Sequence, residues 1–261
     1  MKLIYHQVNA FTDQIFSGNP AIVIQLDEWL DDEVLQSVAK ENAIDATAFF
    51  IDKGSEILLR WFTPDLELDL CGHATLATAF VLNKIKNTEN NSFTFNTISG
   101  LLYVTNNNNM IVMDLPTRKP VKTDLPTFIK NSINKAPKEV LKARDYLLIY
   151  DNEVDVSNIQ FDKQIFNSKN IDPGGVIITA PGIKTDFVSR FFVPQATIFE
   201  DPVTGSAHAS LIPYWSNNFN KKEMTALQLS ARKGKLYCTD KEDRVLLAGN
   251  AKLYASGTIF L

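Results

Sequence analysis

Two stretches of the sequence place reactive side chains around a glycine where an Ala-rich segment begins. The first reads Cys-Gly-His-Ala over residues 71–74, and the second reads Thr-Gly-Ser-Ala over residues 204–207. A helix that starts here presents unpaired backbone N–H groups and a partial positive charge, which attract carboxylates and phosphates. Glycine lets a ligand approach the backbone closely. The pattern indicates a small-anion site, and the alternative is an ordinary turn before a buried helix.

The side chains beside these glycines differ in the chemistry they offer. His73 lies in the first turn, where the helix dipole favours a neutral imidazole that takes or gives a proton, although a lone histidine is often only a satisfied polar group. Cys71 is a nucleophile or base, since a helix start favours thiolate, or else a small buried apolar residue. Thr204 takes its place in the second stretch, which excludes a symmetrical two-thiol mechanism. Asp201 is a second acid/base candidate or a capping residue.

The elements that position these residues occur twice. The stretch Arg-Trp-Phe-Thr-Pro at 60–64 matches Arg-Phe-Phe-Val-Pro at 190–194, and Gly72 and Gly205 lie 133 residues apart. Each block follows a strand and a loop and leads through an acidic segment into a helix start. The repeat predicts two β-rich halves, each wrapping one nearly buried Ala-rich helix. We expect the two helix starts to face each other across a cleft and to hold the anion there.

Strand patterns dominate the rest of the first half. They are rich in β-branched and aromatic residues and are bounded by Gly, Asn, Asp or Pro, at 2–11, 21–26, 46–51, 57–62, 92–97, 101–106 and 110–115. The asparagines at 106–109 predict a hairpin turn between the last two of these strands. Helices are expected at 31–42, at 73–87, within 116–145 after a Pro/Lys-rich linker at 115–126, and at 206–219, where we expect Pro213 to shorten the helix.

Composition excludes several classes of protein. The 261 residues fit one large domain or two smaller ones, and a hydrophobic fraction of 45% supports a sizeable core. A net charge of −4 without a basic run argues against nucleic acid. The apolar runs are too short for a membrane span, and no signal peptide is recognised. Two cysteines and three scattered histidines predict neither a disulfide framework nor a metal site, so cytoplasm is the default location.

Several motifs together resemble the phenazine-biosynthesis PhzF-like family, within the wider diaminopimelate epimerase fold. They are VNAFTDQIFSGNPAIVI at 8–24, RWFTPDLELDLCGHATLATAF at 60–80, FVSRFFVP at 187–194 and EDPVTGSAHASLIPYW at 200–215. The resemblance implies an α+β fold of two pseudo-symmetric halves, each a curved or barrel-like sheet around a central helix. We place the halves at 1–115, joined by the last strand at 251–261, and at 116–250.

The resemblance also implies a function and a set of site residues. Family members are typically cytoplasmic homodimers that use no cofactor or metal, and the best-characterised activity isomerises a dihydro-hydroxyanthranilate by proton transfer. It implies that the chain takes a small carboxylate substrate. By motif, the groups that bind substrate or move the proton are Gly72, His73, Asp201, Gly205 and Ser206. Cys71 and Thr204 fall where two-cysteine epimerases keep their two cysteines, so the chain looks like the phenazine type.

One departure affects the expected chemistry. The family usually reads Asn-Leu-Ser-Glu-Thr-Ala-Phe after its first helix, with that Glu as the main general acid/base, and alignment through Thr47 places Ala46 at the Glu position. Losing such a group costs about 10²–10⁴-fold in rate. Asp45 is adjacent, but neighbours in a strand point to opposite faces, so it serves as the acid/base only where the backbone bulges or turns. Otherwise it is a solvated or capping residue.

Three functions follow from these features. The first is a cofactor-independent isomerase or epimerase that acts on a small carboxylate through His73, Asp201 and Asp45. The second is a degenerate relative that binds a small anion without chemistry, as Ala46 favours. The third is an interaction protein that uses exposed strand edges. The intact helix-start motifs favour the first.

Overall fold

The computed structural model describes residues 1–54, 56–86, 91–107, 110–171 and 174–261. These residues form two compact units. The first unit comprises residues 1–115 together with 246–261, and the second comprises residues 116–245. The second stretch of the first unit therefore starts at residue 246 rather than at residue 251.

The described residues contain strands β1 to β18 and helices α1 to α6. The strands are β1 Lys2–Ala10, β2 Asn19–Gln25, β3 Ala46–Asp52, β4 Ile57–Phe62, β5 Glu67–Leu68, β6 Ser92–Thr97, β7 Gly100–Asn107, β8 Met110–Pro116, β9 Val121–Lys122, β10 Glu139–Lys142, β11 Tyr146–Ile149, β12 Val176–Pro181, β13 Phe187–Phe192, β14 Glu200–Asp201, β15 Glu223–Gln228, β16 Gly234–Asp240, β17 Arg244–Gly249 and β18 Ala251–Phe260. The helices are α1 Asp32–Asn42, α2 Gly72–Phe80, α3 Thr127–Ser132, α4 Glu153–Asn158, α5 Lys163–Phe166 and α6 His208–Phe219, and a π-helical turn, Val81–Ile85, continues α2.

The strands of the first unit form a mixed sheet. β1 pairs antiparallel with β2 and with β18, and β2 pairs parallel with β3. β4 pairs antiparallel with β3 and β5 and parallel with β6, which leads through antiparallel pairs to β7 and β8. The predicted hairpin between β7 and β8 is confirmed by their pairing. Residues 108–109 of its predicted turn lie outside the described residues, and Asn106 and Asn107 belong to β7.

The second unit repeats this order of pairing. β10 and β11 are antiparallel, β11 and β12 are parallel, and β12 and β13 are antiparallel. β13 also pairs antiparallel with the two-residue strand β14 and parallel with β15, which pairs antiparallel with β16. Mixed sheets with few helices confirm the α+β class. The two units share one order of strand pairing, which corresponds to the repeat in the sequence.

Helices cover both faces of the central strands in the first unit. The buried side chains of α1, among them Leu35 and Val38, pack with residues of β2 and β3 in one core cluster. α2 is buried at every position from Gly72 to Ala79, as the Ala-rich sequence predicts. Strands covered on both faces read as continuous apolar runs rather than alternating ones. This is why β2 and β3 lack a polar side.

An arginine–glutamate pair recurs just before each central helix. Arg60 on β4 donates from Nε and Nη2 to the two carboxylate oxygens of Glu67 on β5, at 2.7 Å each. Arg190 on β13 does the same to Glu200 on β14, at 2.7 and 3.0 Å. These two-oxygen pairings are geometrically specific and stronger than single hydrogen bonds between neutral groups. They fix the short strands β5 and β14, from which the chain enters the two helix starts.

The expectation that Pro213 shortens the last helix is wrong. α6 runs from His208 to Phe219 with Pro213 inside it. Proline lacks the N–H that would bond the carbonyl four residues earlier, which is that of Ala209. The backbone N–H of Arg118 donates to this carbonyl at 3.0 Å. The segment after β8 therefore supplies the hydrogen bond that proline removes, and the helix continues.

The expected linker at 115–126 with a helix after it is only partly right. The first two residues of the expected linker are the last residues of β8. Further along it, Val121–Lys122 form β9, which pairs with β10. The helix that follows, α3, has only six residues, and residues 139–142 form β10. Within the part of the chain that the structure describes, no helix has the length and apolar character that a bilayer crossing requires.

We predict that Arg190→Met lowers the free energy of unfolding by about 2–4 kcal/mol, because Glu200 loses its partner in a mostly buried site. The carbonyls of Val156 and Ile159, which also accept from Arg190, lose a donor as well. Urea denaturation measures the change.

The matched control is Lys138→Met. Its partner is Asp151, and both side chains are more than half exposed, at 68% and 62%. We expect this variant to lose less than about 1 kcal/mol. Equal losses in the two variants would contradict an anchoring role for Arg190.

Candidate functional site

The first helix start is built on an extended residue. Cys71 precedes α2 with φ −135° and ψ 98°, and its carbonyl accepts both the backbone N–H of Thr75 at 3.1 Å and the Thr75 hydroxyl at 2.7 Å. These bonds begin the helix directly after the cysteine. The N–H groups of the first helical turn, at Gly72, His73 and Ala74, have no carbonyl four residues earlier within the helix. The start therefore offers backbone donors, as the sequence predicts.

His73 is buried and uncharged in this setting. Only 6% of its surface is exposed, and burial lowers its pKa to about 3. Cys71 is buried as well, and its Sγ lies 3.5 Å from Nδ1 of His73. The imidazole is therefore neutral at physiological pH, with one nitrogen able to accept a proton and the other able to donate one.

Asp45 lies where the chain turns from α1 into β3. Ala43 ends α1 in the left-handed conformation with φ 52°, and its N–H donates to the carbonyl of Ala39. The side-chain amide of Asn42 bonds the hydroxyl of Thr47 at 3.0 Å, across this turn. Asp45 is in a bend and half-buried, whereas Ala46 is the first residue of β3 and fully buried. The turn that a role for Asp45 requires is therefore present.

The second helix start is a tight turn followed by α6. The backbone N–H groups of His208 and Ala209 bond the carbonyls of Gly205 and Ser206, three residues earlier, at 3.1 and 3.2 Å. Thr204, Gly205 and Ser206 are all buried. Hydrogen bonds between residues three positions apart are common at helix ends, and they make the first turn tighter than an α-helical turn. Residues 204–206 thus form a compact buried corner at the start of α6.

Asp201 is held in this corner by a hydrogen-bonded group. The hydroxyl of Thr204 donates to Oδ2 of Asp201 at 2.6 Å. The amide nitrogen of Gln228 donates to the backbone carbonyl of Asp201 at 2.8 Å and to Thr204 Oγ1 at 3.1 Å, while its oxygen accepts the Thr204 N–H at 2.8 Å. These hydrogen bonds fix the position of Asp201 just before the start of α6.

Ser206 has a cationic neighbour. Nη2 of Arg144 lies 3.3 Å from Ser206 Oγ, and Nε of the same guanidinium lies 3.3 Å from Asp145 Oδ1. Asp145 is fully buried and also accepts the backbone N–H of Gly175 at 2.8 Å. Arg144 therefore presents hydrogen-bond donors beside the start of α6, while Asp145 balances its charge.

His208 is the second neutral histidine. Its Nδ1 lies 2.9 Å from the carbonyl of Thr204, which can only accept, so Nδ1 carries the proton. Burial lowers its pKa to about 4, although the hydrogen bond to Thr204 acts in the opposite direction. Among the described residues, Nε2 has no hydrogen-bond partner. The ring packs 5.9 Å from that of Phe187.

Gln228, Arg144 and His208 were not assigned to the site from the sequence. Gln228 did leave a signal, since Met224, Ala226 and Gln228 alternate along β15 as its buried positions. An amide at a core position of a strand needs polar partners. Arg144 left no comparable signal, because its place beside Ser206 depends on pairing between distant segments.

The remaining cysteine, Cys238, lies in the core. Cys238 is buried in β16, and burial raises the pKa of its thiol, which fits the expected role as a small apolar residue. In the ranges that the structure covers, no group of three or more His, Cys, Asp or Glu side chains is placed to hold a metal ion.

Comparison with known proteins gives the family. Residues 8–257 match the family model described as phenazine biosynthesis-like protein. The chain belongs to this phenazine biosynthesis-like family. A Pseudomonas aeruginosa protein named an uncharacterized isomerase is 44% identical over 261 residues, covering 100% of both sequences. The human phenazine biosynthesis-like domain-containing protein is 39% identical over 287 aligned residues, covering 99% of each. The resemblance stated from the motifs is confirmed.

Solved structures of the family agree. A PhzF-family phenazine biosynthesis protein from Enterococcus faecalis superposes with a TM-score of 0.93 at 42% identity, covering 100% of each chain. A hydroxyproline epimerase from Agrobacterium vitis has a TM-score of 0.66 at 7% identity, over 99% of this chain and 92% of that one. The second likeness shows the fold alone, and it confirms the epimerase-like fold expected from the motifs.

We predict that His73 and His208 stay neutral down to about pH 5. Both folded-state pKa values lie below the usual 6.5, at about 3 and about 4, so the unfolded chain binds more protons as pH falls below 6.5. The stability that the two neutral histidines contribute is therefore fully present above pH 6.5. The free energy of unfolding falls as the pH drops from 6.5 towards about 4. Imidazole ¹⁵N shifts and urea unfolding between pH 7.5 and 5 check this.

The matched variant is His208→Asn, whose side-chain amide can still donate to the Thr204 carbonyl. We expect its unfolding free energy to fall less with acid than that of the original chain. A His208 ring that titrates between pH 6 and 7 in the folded protein would overturn the prediction.

Proposed function

We propose that the protein is a cofactor-independent isomerase or epimerase that moves a proton on a small carboxylate substrate. A carbon next to an activating group loses its proton to a basic side chain, and another position, or the other face of the same carbon, regains one. Substrate and product are therefore isomers, and the reaction consumes no oxidant or reductant. The likeness to relatives named isomerases supports the reaction class.

The observation that carries the proposal is the neutral, buried imidazole of His73 at the start of α2. Proton transfer is fastest when the group is in the correct protonation state and is held within reach. Burial keeps this ring uncharged, and the adjacent N–H groups of the helix start provide donors for a carboxylate. Substrate binding is assigned to Gly72, Cys71, Thr204, Gly205 and Ser206.

Asp201 is the second proposed proton-transfer group. Its carboxylate accepts the Thr204 hydroxyl at 2.6 Å, which holds the carboxylate in a fixed orientation. Arg144 beside Ser206 supports the anionic character of the substrate, since a guanidinium matches the geometry of a carboxylate.

Asp45 is proposed as the acid/base that replaces the family glutamate. Its bend before β3 releases it from the strict alternation of strand side chains. Asp45 then supplies a carboxylate one residue before the usual position of the acid/base, while Ala46 packs as the first residue of β3.

The proposal predicts exchange of a substrate C–H proton with solvent deuterium. The purified protein is incubated in D₂O with a panel of cyclic amino and hydroxy acids, and NMR records the loss of C–H signals. His73→Ala and Asp201→Asn should each lower the exchange rate by about 10²–10⁴-fold without unfolding the protein. Undiminished exchange in both variants would refute the assignment.

The variant Asp45→Asn distinguishes an acid/base role of Asp45 from a solvated or capping role. If Asp45 is the acid/base, this nearly isosteric change lowers exchange to the level of the His73→Ala variant. Asp52→Asn is the matched control, since Asp52 ends β3 at the surface and, among the described residues, its carboxylate accepts the N–H of Gly54. We expect the control to keep full exchange.

Ala46 favours a second candidate, a protein that binds a small anion without turnover. A methyl group transfers no proton, and Ala46 is fully buried at the family position of the acid/base. In that case a carboxylate ligand raises the melting temperature while no C–H proton exchanges. Ala46→Glu should then confer exchange, and its failure to do so would count against loss of the base as the explanation.

A further inference from the structure

We propose that Gln228 is a positioning residue, which directs the hydroxyl of Thr204 onto the carboxylate of Asp201. The inference rests on the proposed function, in which Asp201 takes part in proton transfer. It adds a residue on a different strand, 27 positions from Asp201 along the chain, whose role is to orient the reacting carboxylate.

Gln228 is placed among apolar residues and is almost completely buried. It ends β15 with 1% of its surface exposed, on the same side as the buried Met224 and Ala226. A buried side-chain amide costs free energy unless its donors and acceptor are satisfied. All of the described hydrogen bonds of this amide go to Asp201 and Thr204.

The orientation of the amide follows from its backbone partners. The N–H of Thr204 can only donate, so the Gln228 oxygen must face it at 2.8 Å. The carbonyl of Asp201 can only accept, so the Gln228 nitrogen must face it at 2.8 Å. The usual ambiguity between the oxygen and nitrogen of a glutamine is therefore resolved by the chemistry of the two partners.

This orientation also sets the direction of the Thr204 hydroxyl. The second N–H of Gln228 points to Thr204 Oγ1 at 3.1 Å, so that oxygen acts as an acceptor towards Gln228. A hydroxyl has one proton, which is left to donate to Asp201 Oδ2 at 2.6 Å. The Thr204 carbonyl is bonded to His208, so the residue is held on its other side too.

The first unit has no such group at the corresponding place. The strand registers give the corresponding residue: Gln228 on β15 pairs with Ser189, the residue before Arg190. In the first unit Asn96 on β6 pairs with Leu58, two residues before Arg60, so the next residue, Thr97, takes the place of Gln228. The Thr97 hydroxyl donates to the carbonyl of Gly100 within its own turn. The amide therefore occurs in the half that carries the carboxylate.

The test is a double-mutant cycle with Thr204→Val and Gln228→Met, which preserve shape. Each single change should lower kcat for C–H exchange by about 10- to 100-fold, the factor for one hydrogen bond to a charged group, with KM changed much less. The double variant should be no slower than the slower single variant. Thr204→Ser, which keeps the hydroxyl, should restore most of the rate.

Additive losses in the double variant, or full activity of Gln228→Met, would overturn the positioning role. The matched control is Ser230→Ala, which removes a hydrogen bond to the Pro202 carbonyl and one from the Lys233 N–H. Among the described residues, the Ser230 hydroxyl has no hydrogen bond to Thr204 or Asp201. We expect it to lower stability and to leave kcat unchanged. A fall in kcat equal to that of Gln228→Met would show that any loosening of the corner suffices.

A structural readout separates this inference from the proposed function. Crystal structures of Gln228→Met should show the Thr204 hydroxyl turned away from Asp201, and hydrogen exchange should show loss of protection at the Thr204 amide. If that bond remains at its original 2.6 Å length, the inference fails whatever the activity. If the original protein exchanges no substrate proton while the bond breaks as expected, the proposed function fails and the positioning of Asp201 stands.

Discussion

The pairing of an arginine with a glutamate, made once in each unit, is the interaction on which both helix starts depend. A two-residue strand has too few backbone hydrogen bonds to hold itself against a sheet, and β5 and β14 are both of this kind. The guanidinium of Arg60 or Arg190 adds two charge-assisted bonds and packs over Phe62 or Phe192. Asp201 directly follows Glu200, so the carboxylate proposed for chemistry is next to the residue that the arginine fixes. The site in each unit therefore begins with a structural ion pair.

The two units share the same arrangement of strands before the helix start, but the side chains at the two starts differ in their chemistry. The first start has a thiol and an imidazole, and the second has two hydroxyls, a carboxylate and a nearby guanidinium. The supporting contacts differ too, since Arg60 also pairs with Asp32 of α1, whereas Arg190 bonds backbone carbonyls near the end of α4. A repeated fold supplies two buried helix starts, and substitutions at a few positions decide what each start does. The two starts therefore carry unlike reactive groups.

Much of this could be predicted from the sequence, because it depends on local patterns. Alternating and continuous apolar runs predicted the strands of the first half, the Ala-rich composition predicted the burial of α2, and the repeated motifs predicted the two halves. The failures came from contacts between distant segments. Nothing near Pro213 shows that Arg118 supplies its missing hydrogen bond, and nothing near Asp201 points to Gln228. The bend at Asp45 also depends on the left-handed Ala43, a conformation that alanine rarely adopts and that no pattern signals.

The pairing of β1 with β18 has a consequence for synthesis on the ribosome. The register joins Lys2 to Phe260 and Ala10 to Ala251, so β1 meets β18 only after all of the strands between them have been made. Residues 116–245, by contrast, are contiguous and emerge as a block. Nascent domains generally fold in order from the N-terminus. Here the second unit, although it begins later in the chain, has all of its strands before the first unit does. In that interval β1 is an open sheet edge, which is the kind of surface that chaperones protect from aggregation.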